Sequence, residues 1–104
     1  IVLVHGFAGH YIETWQAEDG CVWPRDLLPA SLHDISVRVW SFQYHRTIKS
    51  VISSAGISNN ANDLLQALYE QRETNEGQGD VYSFLKHIIW IGHSLGGIII
   101  KKAL

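Results

Sequence analysis

Residues 92–96 read Gly92-His93-Ser94-Leu95-Gly96, a G-x-S-x-G sequence that stands between two apolar runs. The run before it is Ile88-Ile89-Trp90-Ile91, and the run after it is Gly97-Ile98-Ile99-Ile100. This context suits a strand, a sharp turn and a buried helix, which is the setting of a nucleophile elbow. Such a turn projects the serine hydroxyl, so we predict that Ser94 is a nucleophile.

The glycines around this serine have a steric explanation. A strained turn between a strand and a helix brings its backbone close to neighbouring segments, so side chains at Gly92 and Gly96 are expected to clash. His93 and Gly97 flank the turn, and we count them with these glycines as structural residues of the site.

A β-hairpin is the alternative interpretation of the same stretch. Residues 95–97 would turn between two β-branched strands, and the isoleucines at 98–100 have strand propensity. A helix with three consecutive isoleucines has poor intrinsic propensity, so burial against the sheet would have to hold it. The two interpretations therefore differ in the secondary structure of residues 95–100.

A second signal stands at the start of the chain. The apolar run Ile1-Val2-Leu3-Val4 ends in His5-Gly6-Phe7-Ala8-Gly9, and such a run fits a strand buried on both faces of a parallel sheet. A His-Gly pair at the end of such a strand is where α/β-hydrolases place one donor of the oxyanion hole. We therefore predict that the backbone N–H groups of Phe7 and Leu95 stabilise an oxyanion, with His5 and Gly6 as structural residues of the site.

Composition and charge exclude several classes of function. The chain has 104 residues, of which 46% are hydrophobic, and a formal net charge of -2, which is typical of a globular domain. No apolar run is long enough for a membrane span, and no basic cluster indicates nucleic acid, so neither a transmembrane segment nor a nucleic-acid partner is expected. The one cysteine, Cys21, excludes an internal disulfide and fits a reducing compartment.

The spacing of glycines and of potential ligands argues against a cofactor or a metal. Residues 92–97 lack the Lys-Ser/Thr of a phosphate loop, because Ile98 follows the glycines. His5, His10 and Glu13 do not have a recognised ligand spacing. We therefore expect no cofactor and no metal.

Three segments carry strand patterns, at 1–4, 37–44 and 87–91. Helical patterns stand between and after them, which argues for a parallel sheet with crossover helices. In such sheets ligands bind at the carboxyl ends of the strands. Phe7 and Ser94 both lie just past such ends, so the two halves of the site are expected to meet there.

The helical segments are marked by prolines and by apolar spacing. Pro24 is expected in the first turn of a short helix, and Pro29 is expected to end this helix or to begin a second turn. The spacing over 57–68 predicts a longer helix with an N-cap among residues 58–60 and with Arg72 in its last turn. Loops are predicted at 5–20, 47–56 and 74–80, and residues 81–86 fit either a helical turn or a short strand.

Both ends of the chain interrupt a structural pattern. Residue 1 lies inside the first strand pattern, Leu104 lies inside the last helix pattern, and there is no methionine. We therefore interpret residues 1–104 as part of one domain that is truncated at both ends.

Three groups of residues resemble a known family. They are Val4-His5-Gly6-Phe7-Ala8-Gly9-His10 with Thr14-Trp15, Trp23-Pro24-Arg25-Asp26-Leu27-Leu28-Pro29, and Ile91-Gly92-His93-Ser94-Leu95-Gly96-Gly97 with Lys101-Lys102-Ala103-Leu104. Together they resemble the serine-active-site-containing protein family of α/β-hydrolases, which is similar to lipases and serine esterases. They are equally similar to the hydrolase-like N-terminal domains that precede nucleotide-binding modules in many fungal NLR-like proteins.

The resemblance implies the N-terminal half of an α/β-hydrolase fold with the local strand order 37–44, 1–4, 87–91. It implies a carboxylic-ester hydrolase whose nucleophile is Ser94 and whose acid and histidine come later in the chain. None of the residues after Ser94 is Asp, Glu or His, so both groups are expected beyond the chain end. The 104 residues alone are therefore expected to be inactive.

Partners and location are implied by the same resemblance. It implies a small-molecule or lipid ester substrate, the remainder of the hydrolase domain, and a C-terminal nucleotide-binding or repeat module. With the single cysteine it favours an intracellular location, in the cytoplasm or at an organelle membrane such as that of the mitochondrion or endoplasmic reticulum. The alternative function is a non-catalytic signalling or interaction domain that keeps the hydrolase fold and acts by assembly.

The histidines of the chain are not expected to supply the catalytic base. His5 belongs to the strand that leads to the oxyanion loop, and His93 flanks the elbow. The others are interpreted as surface or loop residues: His10, His33, His45 and His87.

Overall fold

The computed structural model describes residues 1–44, 53–76 and 87–104. A parallel three-stranded sheet in the order β2, β1, β3 lies at its centre. The strands are β1 (Val2–Val4), β2 (Trp40–Phe42) and β3 (Trp90–Gly92). The α/β class and the expected spatial order of the strands are confirmed.

Helical segments of different lengths accompany the strands. In the described ranges they are a 3-10 turn (Glu13–Trp15), α1 (Trp23–Asp26), α2 (Leu28–Ser31), α3 (Ser54–Glu76) and α4 (Leu95–Ala103). Pro24 and Pro29 lie in the first turns of α1 and α2, where a residue without an N–H loses no helical hydrogen bond. None of these described helices has both the length and the apolar character that crossing a membrane requires.

Helix α4 excludes the hairpin interpretation of residues 95–100. Ile99 and Ile100 are buried in a cluster with Val4 of β1, while Ile98 stays 55% exposed. Three isoleucines therefore form a helix because two of them pack against the sheet, which outweighs their weak intrinsic preference.

The strands are shorter than the segments predicted for them. The ladder between β1 and β2 runs only from Val2 and Trp40 to Val4 and Phe42, so the rest of 37–44 lies outside it. Val39, for example, packs against an apolar cluster without belonging to β2. An apolar pattern reports burial, whereas a strand also needs a paired neighbour, and this explains the difference.

Strand β3 is displaced toward the elbow relative to the predicted segment 87–91. It begins at Trp90 and ends at Gly92, because its pairs on β1 are Val2 and Val4. The carboxyl ends of β1 and β3 consequently lie at the same height.

Helix α3 begins before its predicted N-cap. The Ser53 hydroxyl oxygen accepts a hydrogen bond from the Gly56 N–H at 3.0 Å, so Ser53 caps the helix and the prediction of a cap among residues 58–60 is wrong. Asn60 is instead buried inside the helix. Serine is a favoured N-cap residue, but the small and polar residues at 47–56 had predicted a loop there.

The loop predictions near α3 need a similar correction. Helix α3 occupies residues 54–76, so the predicted loops at 47–56 and 74–80 are wrong where they overlap it. Their remaining residues and the ambiguous segment 81–86 lie outside the described residues, except for Ser53. The predicted loop at 5–20 contains the 3-10 turn at Glu13–Trp15.

Two apolar clusters cover the two faces of the sheet. Val2 and Val4 of β1 face the cluster formed with α3 and α4, and Leu3 faces the cluster that contains Trp15 and Val22. Side chains alternate between the faces of a strand, so three consecutive residues of β1 support both layers. The strand that leads to the site is therefore fixed from both sides.

Candidate active site

The two predicted halves of the site meet at the carboxyl ends of β1 and β3. Val4 pairs with Gly92, and the His93 N–H donates a hydrogen bond of 3.0 Å to the Val4 carbonyl. A Cβ atom added to Gly6 would lie 2.9 Å from the Ser94 Cβ and 2.8 Å from the His93 Nδ1. Gly6 therefore brings the backbone after β1 into close contact with the serine turn.

Ser94 occupies a strained turn between β3 and α4. Its backbone has φ +52° and ψ −120°, a positive-φ conformation that residues other than glycine rarely adopt. Ser94 is the N-cap residue of α4, yet its side chain makes no capping hydrogen bond. The residue is solvent-exposed, so its hydroxyl is available to a reactant.

The glycines on either side of the serine are required by close backbone packing. A Cβ atom on Gly92 would lie 2.6 Å from the Cα and the nitrogen of Gly97. A Cβ atom on Gly96 would overlap the Val4 carbonyl oxygen and lie 2.6 Å from the His5 carbonyl oxygen. These distances are far shorter than non-bonded atoms tolerate. A side chain at Gly92 or at Gly96 would therefore clash, as expected from the sequence.

Two contacts fix the peptide that carries the Phe7 N–H. The Gly6 carbonyl oxygen accepts from the Gly9 N–H at 3.0 Å and lies 2.9 Å from the His5 Nδ1. The carbonyl of Gly6 and the N–H of Phe7 belong to one planar trans peptide, in which they point in opposite directions. Because these two contacts fix the Gly6 carbonyl, they also set the direction of the Phe7 N–H.

The peptide that carries the Leu95 N–H is held in the same manner. The Ser94 carbonyl oxygen accepts a hydrogen bond from the Gly97 N–H at 3.0 Å, and the first N–H groups of a helix have no partner inside that helix. Across the described ranges, no hydrogen bond uses the amide of Phe7 or Leu95. Within these ranges neither N–H is therefore committed to another protein group.

The start of α4 adds a favourable electrostatic contribution. Leu95 is the first residue of this nine-residue helix, and the aligned peptide dipoles place partial positive charge at a helix N-terminus. A helix N-terminus of this kind favours a negatively charged group placed beside it.

Tyr44 is a site residue that the sequence analysis missed. Its hydroxyl donates a 2.9 Å hydrogen bond to the His5 carbonyl, and its ring stacks on the His5 imidazole with centroids 4.3 Å apart and planes 7° apart. Burial raises the pKa of the Tyr44 phenol, so the hydroxyl is a neutral donor at pH 7. Its signal was the position two residues past β2, at the edge of the sheet where Phe7 and Ser94 were expected.

The other described histidines have structural or surface positions. The His10 Nδ1 accepts hydrogen bonds from the N–H groups of Ile12 and Glu13, while His33 and His87 are exposed. His45 lies outside the described residues. Within residues 1–44, 53–76 and 87–104, no group of three His, Cys, Asp or Glu side chains is placed to hold a metal ion.

Comparison with known proteins gives a distant relationship. The chain is similar to Protein SERAC1 of zebrafish (Danio rerio). The two are 25% identical over 122 aligned positions, which cover the whole of this chain and 18% of SERAC1. The chain thus spans less than a fifth of the length of this curated relative. No protein-family model matches the chain, and no solved structure matches it.

Proposed function

We propose that this chain carries the nucleophile and the oxyanion hole of a serine carboxylic-ester hydrolase. The observation that supports the proposal most strongly is the conformation of Ser94, at φ +52° between β3 and α4. A non-glycine residue is held in such a conformation only where its surroundings impose it, and such strain concentrates at functional sites. The two available amides beside it supply the second component that acyl transfer needs.

In the proposed reaction the Ser94 Oγ attacks the carbonyl carbon of an ester, and its proton passes to a base. The carbonyl π electrons move onto the oxygen, which accepts hydrogen bonds from the N–H groups of Phe7 and Leu95. Collapse of this intermediate breaks the bond to the alkoxide, which takes the proton from the base and leaves as the alcohol. Water then repeats the sequence on the acyl-enzyme, releasing the acid and restoring Ser94.

The base is expected from another part of the full-length protein. No histidine, aspartate or glutamate comes after Ser94 in the chain, whereas the order in α/β-hydrolases is serine, acid, histidine. We propose that the acid and the histidine come from later residues of the full-length protein, and that the substrate is a small or lipid-like ester. The similarity to SERAC1, a much longer protein, is compatible with such an arrangement.

Labelling with a fluorophosphonate probe tests the proposed function. The full-length protein is incubated with the probe, and the modified peptide is identified by mass spectrometry. We expect a single adduct on Ser94, because only a serine activated by a base and an oxyanion hole reacts rapidly with this electrophile. Protein denatured before the reaction is the control and is expected to remain unlabelled.

Two outcomes would contradict the esterase proposal. One is the absence of an adduct on the native full-length protein. The other is equal labelling before and after denaturation, because chemistry that survives unfolding does not depend on the Ser94 turn. Either outcome would favour the alternative of an assembly domain that retains a hydrolase fold.

A further inference from the structure

We propose that Tyr44 is a positioning residue for the oxyanion hole and acts through His5 on the Phe7 N–H. This inference rests on the proposed esterase function. It adds a residue that lies just past β2 to a site otherwise built from the segments after β1 and β3.

The contact between Tyr44 and His5 is buried and has two parts. His5 is 0% exposed and Tyr44 is 5% exposed. The stacked rings restrict the orientation of the imidazole, and the hydrogen bond from the phenol to the His5 carbonyl fixes the main chain one residue before Gly6. Because both groups are desolvated, the geometry of this pair is well defined.

The imidazole transmits this constraint to the oxyanion peptide. The His5 Nδ1 lies 2.9 Å from the Gly6 carbonyl oxygen, which can only accept, so the nitrogen is the donor and carries the proton. That carbonyl shares its peptide plane with the Phe7 N–H. A tilt of the imidazole therefore changes the direction of the N–H that would bind the oxyanion.

The alternative role for Tyr44 is support of the core alone. Tyr44 does belong to the apolar cluster with Val2, Val4 and Leu64, and Phe42 lies against its ring. A core role uses the ring and its volume, whereas positioning also uses the hydroxyl. The substitution Tyr44→Phe separates the two, because it keeps the ring and removes only the hydrogen bond.

The test compares full-length Tyr44→Phe with wild type, using p-nitrophenyl butyrate as the substrate. Loss of one buried hydrogen bond that acts on the transition state is expected to lower kcat about tenfold. KM is expected to stay unchanged, because the oxyanion forms only after binding. The rate constant for fluorophosphonate labelling of Ser94 is expected to fall by a similar factor. Tyr69→Phe removes a phenol hydroxyl from α3, which carries no residue of the proposed site, and is the matched control expected to keep the wild-type kcat.

A double-mutant cycle tests transmission through His5. His5→Asn keeps a donor near the position of Nδ1 but removes the stacked ring. If Tyr44 acts through His5, the effects of Tyr44→Phe and His5→Asn on kcat are expected to be non-additive. Additive effects on kcat would overturn the proposal, because two independent contributions to core stability combine in that way.

The outcomes also separate this inference from the proposed function. A wild-type protein that hydrolyses the ester, with Tyr44→Phe at the same kcat, overturns the positioning role and leaves the esterase intact. A raised KM at unchanged kcat, or a lowered Tm alone, overturns it equally. A wild-type protein that neither hydrolyses the ester nor reacts with the probe overturns both proposals.

Discussion

Replacement of Ser94 by alanine is expected to abolish ester hydrolysis by the full-length protein, with kcat falling on the order of 10⁶-fold. Removing the nucleophile eliminates the covalent step, and the remaining oxyanion donors give only weak residual catalysis. The measurement is the turnover of p-nitrophenyl butyrate, corrected for spontaneous hydrolysis. Thermal unfolding is expected to change little, because the Ser94 side chain makes no capping hydrogen bond.

Ser36→Ala is the matched control for this experiment. Ser36 is an exposed serine between α2 and β2, so its replacement is expected to leave turnover at the wild-type level. Wild-type turnover by Ser94→Ala would contradict the esterase proposal. An unchanged biological output of Ser94→Ala, together with lost hydrolysis, would show that a second, assembly-based activity exists beside catalysis.

Gly96→Ala is expected to lower the free energy of unfolding by about 4 kcal/mol or more. The added Cβ would overlap the Val4 carbonyl oxygen and lie 2.6 Å from the His5 carbonyl oxygen. Both are backbone atoms of the segment that leads to Phe7, so neither can rotate away as a flexible side chain does. Relief requires α4 to move away from β1, which also breaks the packing of Ile99.

Gly97→Ala provides a control one residue away in the same helix. A Cβ at Gly97 meets no atom within 4 Å, and alanine is a better helix former than glycine, so a gain of about 0.5–1 kcal/mol is expected. Thermal unfolding and soluble yield of the two full-length variants give the comparison. Equal Tm values for Gly96→Ala and Gly97→Ala would contradict the packing described for α4 and β1.

The strand, turn and helix around Ser94 could be predicted because each of them has a recognisable pattern in the adjacent sequence. Gly92 and Gly96 report close backbone approaches, and the apolar runs beside them report burial. The burial of β1 on both faces also agreed with expectation, since buried parallel strands have continuous apolar sequences, whereas its position between the other strands was expected only from the family resemblance. Local sequence was sufficient wherever neighbouring residues determine the conformation.

Other features depended on contacts between distant parts of the chain. The ends of β2 are set by the length of β1, which the apolar pattern at 37–44 does not record. The pairing of Tyr44 with His5 joins residues 39 positions apart, so only the folded sheet could reveal it.

A crystal structure of the full-length protein with a phosphonate bound to Ser94 would show whether the oxyanion hole has been assigned correctly. We predict that the phosphoryl oxygen, which imitates the oxyanion, lies about 2.7–3.1 Å from the nitrogen atoms of both Phe7 and Leu95. We also predict that the Gly6 carbonyl keeps its contact with the His5 Nδ1. A phosphoryl oxygen that points to solvent, or that contacts neither amide, would contradict the assignment of these residues.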